Sequence, residues 1–271
     1  MPRLAVGLEY DGSAYAGWQS QQKGVASIQE SAEAAFSKVA NAPVSLVCSG
    51  RTDAGVHARL QVAHFDTDSV RTLRGWTLGA NSNLPRDISV AWVTPVPMHF
   101  HARYSAESRT YRYLIFNRYV RSAHAEKHAA QIHRALDHER MSAATLHLIG
   151  VHDFSAFRSS ECQAKSPVRR LTRIEVTRQG DWIAIEVCGN AFLHHMVRNI
   201  AGLLIAIGMG EREPAWALEV LESKDRTRGH VTAPAEGLYF WDVAYSEAFG
   251  LPAPVHSLGP RSAIIHGHFC G

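Results

Sequence analysis

The chain has 271 residues, 46% hydrophobic and 20% charged, with a formal net charge of +3 at pH 7. Such a profile belongs to a globular protein long enough for two domains and excludes a disordered chain, a collagen-like repeat and a disulfide miniprotein. The longest apolar stretch, Ile200 to Met209, has about half the length a bilayer requires, and no apolar signal core opens the chain, so a cytoplasmic protein without membrane association is expected.

Along the chain, Leu4, Val6, Leu8 and Tyr10 alternate with smaller or polar residues, which predicts a strand with one buried face. Ser27 and Glu30 have capping-box spacing, and Ile28, Ala32, Ala35, Phe36 and Val39 continue at helical spacing until Asn41-Ala-Pro43 stops them. Strands are expected over 44–48, 61–65 and 88–94, with a helix near 73–78 and a boundary or crossover at Pro95-Val-Pro97. The second half predicts a strand over 110–116 and helices over 128–138 and 142–148. A hairpin follows, pairing 171–177 with 182–187, then helices over 192–207 and 214–221 and a closing strand over 238–244. The two halves share a strand–helix–strand inventory, and from Ser246 onward the Pro-, Gly- and His-rich chain reads as an irregular tail. The fold class is α/β, of the α+β type, with domains over 1–107 and 108–246 and the tail over 247–271.

Three segments carry chemistry. Ser49-Gly-Arg-Thr-Asp-Ala-Gly-Val-His57, between two apolar strands, presents Asp53 on a loop between Arg51 and His57, with Gly50 and Gly55 for backbone freedom. A nearby guanidinium would keep that carboxylate ionised for work as nucleophile, general base or metal ligand; the competing reading has Asp53 capping backbone amides. In Phe192 to Gly202, Met196, Ile200 and Leu203 form a core stripe, while His194, Arg198 and Gly202 recur four apart on another face. A cation there could meet Asp53 across a cleft, or Arg198 could be a solvated helix residue. On a helix, His194 and His195 would diverge by about 100° and form no one-face metal pair. In Arg109-Thr-Tyr-Arg-Tyr113, Tyr111 and Tyr113 share a strand face, suited either to base stacking and proton transfer or to a core.

The cations are 23 Arg against 5 Lys, with clusters at 103–121 and 169–178 mixed with aromatics, a composition suited to phosphate and base contacts or simply to solvated faces. The four cysteines show no C-x-x-C spacing.

Taken in order, YDG (10–12), GWQ (17–19), GRTDAGVHA (50–58), NSNLPRDI (81–88), FHAR (100–103), RTYRY (109–113), HDFSAF (152–157), NAFLHHMVRNIAG (190–202) and TAPAEGLYF (232–240) resemble the tRNA pseudouridine synthase A family over nearly the whole chain. Leu60 stands where that family usually has Gly, and His230 where it has a small residue. The resemblance implies two similar domains with antiparallel sheets meeting at a central cleft, associated as a homodimer. It implies uridine isomerisation at positions 38, 39 and 40 of the tRNA anticodon stem-loop, with no cofactor and no metal. It makes Asp53 the catalytic aspartate, Tyr111 the tyrosine beneath the target uracil and Arg198 the partner of Asp53, with Arg51 and His57 shaping the loop and contacting RNA. The alternatives are a non-catalytic tRNA-binding module, which has no need of Asp53, and a metal-dependent hydrolase, for which the 16 His supply no complete ligand spacing.

Overall fold

Strand β1, Arg3–Tyr10, is buried continuously from Leu4 to Leu8 instead of on one face; on the second face, Gly7 is small enough for the Trp92 ring to lie over it. The computed structural model describes residues 1–21 and 24–252. Helix α1, Ile28–Ala40, starts at Ser27, whose hydroxyl accepts the Glu30 N–H and itself donates to the Glu30 carboxylate; it ends at Asn41 in the left-handed region. Strands β2 (Val47–Cys48), β3 (His57–Asp66) and β4 (Ile88–Val96) and helix α2 (Leu73–Asn83) complete the first half. The strand expected over 44–48 is therefore only its last two residues. The Pro95-Val-Pro97 boundary is also displaced: β4 runs through Pro95 to Val96, which an outermost strand tolerates because no further neighbour needs the missing N–H.

The second half contains β5 (Ala106–Asn117), β6 (Ala130–Ile132), α3 (His138–Thr145), β7 (Gly150–Asp153), β8 (Val168–Gln179), β9 (Trp182–Gly189), α4 (Met196–Gly208), α5 (Trp216–Ser223) and β10 (Leu238–Tyr245). The helix expected over 128–138 is not formed. Ala130–Ile132 instead pairs parallel with Ile115–Asn117, and the segment is held by the Asn117 amide, which donates to the Ile132 and Arg134 carbonyls. The next helix begins earlier than expected, at Asp137, whose side chain accepts the Glu139 and Arg140 N–H groups. Of the tail, 247–249 is a single 3-10 turn, and residues 253–271 lie outside the described part.

Among the described residues, all strands join in one ten-stranded sheet, ordered β4-β1-β3-β10-β5-β9-β8-β7, with β2 beside β3 and β6 beside β5. Two antiparallel parts meet through a parallel pairing of only two positions, Tyr239 with His57 and Phe240 with Ala58. The free edge of β3 is thus divided: β10 takes its start, β2 takes Ala63 and His64, and the Ser49–Val56 loop emerges at the seam. Helix α4 is buried along almost its whole length and forms the centre of the second half's core.

Candidate active site

The Asp53 loop is tied down at both flanks, leaving the carboxylate to project. Ser49 donates its N–H to the Val62 carbonyl and its hydroxyl to Gln61, whose amide donates to the Gly50 carbonyl at 2.5 Å. The Thr52 carbonyl accepts the Trp18 N–H, and Gly55 donates to the Tyr15 carbonyl from a left-handed backbone (φ 76°). Gly50 serves differently from the flexibility expected of it: a side chain there would press on the Phe240 ring.

Arg109, grouped by sequence with candidate RNA-binding arginines, is buried. Its guanidinium donates to three backbone carbonyls, Ser49 (3.1 and 3.2 Å), Asn190 (2.9 Å) and Arg103 (2.6 Å), clamping the loop to the second half. Other arginines of these clusters are also engaged within the fold. Arg112 pairs with Glu186 at 2.6 Å and stacks on Trp241, and Arg173 pairs with Glu186 and Glu175.

Across the seam, α4 presents Arg198 to the loop. Its Nη1 donates to Asp53 Oδ2 at 3.4 Å and its Nε to the Ala233 carbonyl at 2.8 Å, so one guanidinium links the carboxylate, the helix and the TAPAEG segment. Buried Asn199 beside it donates to the Phe157 carbonyl and accepts from Arg226 and Thr232. At Gly202 a Cβ would stand 2.1 Å from the Val231 carbonyl, so only glycine lets this segment lie against α4.

The histidines depart from the helical expectation. Helix α4 starts at Met196, and His195 before it has φ 62°, ψ 4°, the left-handed region. That turn redirects both side chains: His194 Nε2 lies 3.2 Å from Asp53 Oδ1 and His195 Nε2 lies 3.3 Å from Oδ2, with the rings 4.0 Å apart. Burial lowers the pKa of His195, against the opposing pull of the Asp53 charge. No periodicity in the sequence announces this pair, because its geometry depends on one non-glycine residue with positive φ.

Tyr111 forms the apolar wall, its ring edge-on to Phe192 (4.8 Å) and Phe240 (5.0 Å). Burial pushes its phenol far above the ordinary range, and the Asp53 charge acts in the same direction, so the resting group is neutral. Tyr113, on the same strand face, is fully buried and donates to the Pro234 carbonyl at 2.9 Å; it is a core pillar under the TAPAEG segment.

Arg51 and His57 do not join this constellation. Arg51 is exposed. His57 is only 1% exposed; its ring stacks on Tyr239 at 4.6 Å, and its Nδ1 lies 3.2 Å from the Gly12 nitrogen and 3.1 Å from Asp11 Oδ1. Among the described residues, two groups have the composition of metal ligands, Asp53–His194–His195 and Asp11–His57–His128, each with ligand atoms within 4.8 Å of one another. In the first, the Arg198 guanidinium already supplies a permanent positive charge to the carboxylate, which opposes a dication at that point. A cleft of about 870 Å³ adjoins the loop, lined by Ser13, Gly55, Arg121, Lys127, Pro234 and Glu236 among others. Among the described residues, no helix is long and apolar enough to cross a membrane.

The sequence model described as "tRNA pseudouridine synthase" matches residues 8–105 and 144–246. The chain is 53% identical over 249 residues to the tRNA pseudouridine synthase A of Methylococcus capsulatus, covering 92% of each chain. It is 53% identical over 259 residues to that of Pseudomonas aeruginosa, covering 96% of this chain and 90% of the relative. For the Alcanivorax borkumensis protein of the same name, identity is 50% over 260 residues, covering 96% and 97%.

Proposed function

Because the chain belongs to the tRNA pseudouridine synthase family, isomerases acting on tRNA, we propose that it converts uridine to pseudouridine at positions 38, 39 and 40 of the anticodon stem-loop, with Asp53 as catalytic carboxylate and without a cofactor. The observation that carries the reading is the seating of Asp53 at the seam, 3.4 Å from Arg198 and beside the apolar wall of Tyr111, Phe192 and Phe240.

The reaction breaks the N1–C1′ bond, turns the uracil and joins C5 to C1′; the C5 proton is lost and N1 gains one, so no redox partner is needed. The target nucleotide leaves the stack and enters the space between Asp53 and the Tyr111 wall, at a cost of about a few kcal/mol. Asp53 then acts at C1′ as a nucleophile or at C2′ as a base, with Arg198 Nη1 donating to its Oδ2 at 3.4 Å. Tyr111 lies under the uracil. Since its phenol is neutral at rest, it accepts the C5 proton only after passing its own to the detached base. Arg51, exposed on the loop, contacts RNA, whereas buried His57 supports the loop from beneath.

The proposed assembly is a cytoplasmic homodimer whose protomer has domains over 1–107 and 108–246 meeting at the β3–β10 seam. The test of function is tritium release from [5-³H]uridine-labelled tRNA. The wild type is expected to release tritium, and Asp53→Asn to bind tRNA with unchanged affinity and release none. Turnover by Asp53→Asn above the enzyme-free background would remove Asp53 from its role. No release by the wild type would favour the tRNA-binding module.

A further inference from the structure

Asp53 is held by more groups than the ion pair with Arg198 requires. Arg198 Nη1 donates to its Oδ2 at 3.4 Å, His195 Nε2 lies 3.3 Å from the same oxygen, and His194 Nε2 lies 3.2 Å from Oδ1. The side chains are graded in exposure, from 15% at Arg198 through 27% at His195 to 33% at His194. The neighbour of Oδ1 is therefore the most accessible of the three partners.

The backbone at His195 is the second observation. A non-glycine residue in the left-handed region is strained, and this one makes no side-chain capping bond that would offset the strain locally. What the conformation achieves is placement of the imidazole on Asp53. The turn is fixed from outside: the Ser159 N–H donates to the His194 carbonyl, and the His194 N–H approaches Cys162 Sγ at 3.5 Å.

We infer that His195 is a positioning residue for this reaction, which with Arg198 fixes Oδ2 of Asp53 and so turns Oδ1 toward the ribose of the target uridine. The inference rests on the reading of Asp53 as the reacting carboxylate. Its chemistry is a polar contact that removes the rotational freedom of the carboxylate before substrate binds, the pre-organisation that gives a reacting atom its orientation.

Two substitutions separate this role from a purely structural one. His195→Gly relaxes the left-handed backbone and removes the contact; His195→Gln returns an amide N–H to about the place of Nε2. Both are measured under saturating tRNA by tritium release, with tRNA affinity determined separately and Asp53→Asn run in parallel. The expected result is a fall in kcat of tenfold or more for His195→Gly at an affinity within twofold of wild type, with His195→Gln recovering at least half the lost factor on a logarithmic scale. A kcat for His195→Gly less than tenfold below wild type would overturn the proposal. So would a loss confined to tRNA affinity, or a His195→Gln variant no better than His195→Gly. If His195→Gly fails to fold, the same threshold applied to His195→Ala decides. Turnover by Asp53→Asn would instead bring down the reading of Asp53 on which the inference stands.

Discussion

In the proposed reaction Tyr111 would carry two jobs that a single atom separates. The ring packs edge-on between Phe192 and Phe240 and provides a stacking surface, while the hydroxyl is the only part able to move a proton. Tyr111→Phe keeps the ring and its packing, so tRNA affinity and stability should remain near wild type. Loss of a general acid–base group lowers kcat by about 10²–10⁴-fold, and single-turnover tritium release should show a fall in that range. A variant with kcat within threefold of wild type would mean that stacking suffices. Tyr113, two positions along the same strand, shows what sequence could and could not reveal at this scale. Alternation put Tyr111 and Tyr113 on one face, as observed, yet only the approach of the Pro234 carbonyl makes Tyr113 a pillar and leaves Tyr111 at the site.

At the scale of elements, α4 and the segment crossing it form a single device. Gly202 lets the Val231–Ala233 backbone lie against the helix, and the Ala233 carbonyl two residues on accepts from Arg198. Gly202→Ala must push that backbone outward, an overpacking change that costs about 1–3 kcal/mol, measurable as a lower urea midpoint. Because the displaced segment also orients Arg198, kcat should fall even at temperatures where the variant is fully folded; an unchanged kcat would show that Arg198 does not depend on this support. Capping spacing at Ser27 and the stripe of α4 were legible because local pattern and burial agree there. The segment over 128–138 was not: its apolar spacing mimics a helix, but a long-range parallel pairing with β5 and the Asn117 amide decide its conformation. In the same way Asp53 was visible as a loop carboxylate, whereas the His194–His195 contacts and the Arg109 clamp depend on chain segments more than fifty residues away.

For the molecule as a whole, buried His64 ties stability to pH. It lies on β3, its Nδ1 accepting the Ala102 N–H at 3.2 Å, and burial pushes its pKa down to about 4, with the Arg3 and His101 charges acting in the same direction. In the unfolded chain the group titrates near ~6.5. Between these values the unfolded state binds a proton that the folded state refuses, so stability should be full above about pH 6.5 and decline as pH falls toward 4. Urea midpoints across this interval should show the decline, and His64→Gln should flatten it; an equal slope in both proteins would assign it to other groups. Light scattering tests the proposed dimer, for which a mass near twice the 29.9 kDa of the chain is expected at assay concentration. A monomeric mass with full activity would dispense with it.

The position of β10 has a consequence for the order in which the protein comes into being. It is the last strand of the described chain, yet it lies in the middle of the sheet, between β3 and β5. On the ribosome, the Asp53 loop and the strands around it emerge early, and Arg198 follows much later. Nothing in the sheet joins them until Leu238–Tyr245 is threaded between the two parts. A chain extended only as far as α5 therefore holds the Asp53 loop and Arg198 in two parts that no strand pairing yet joins, and the proposed activity should wait on β10.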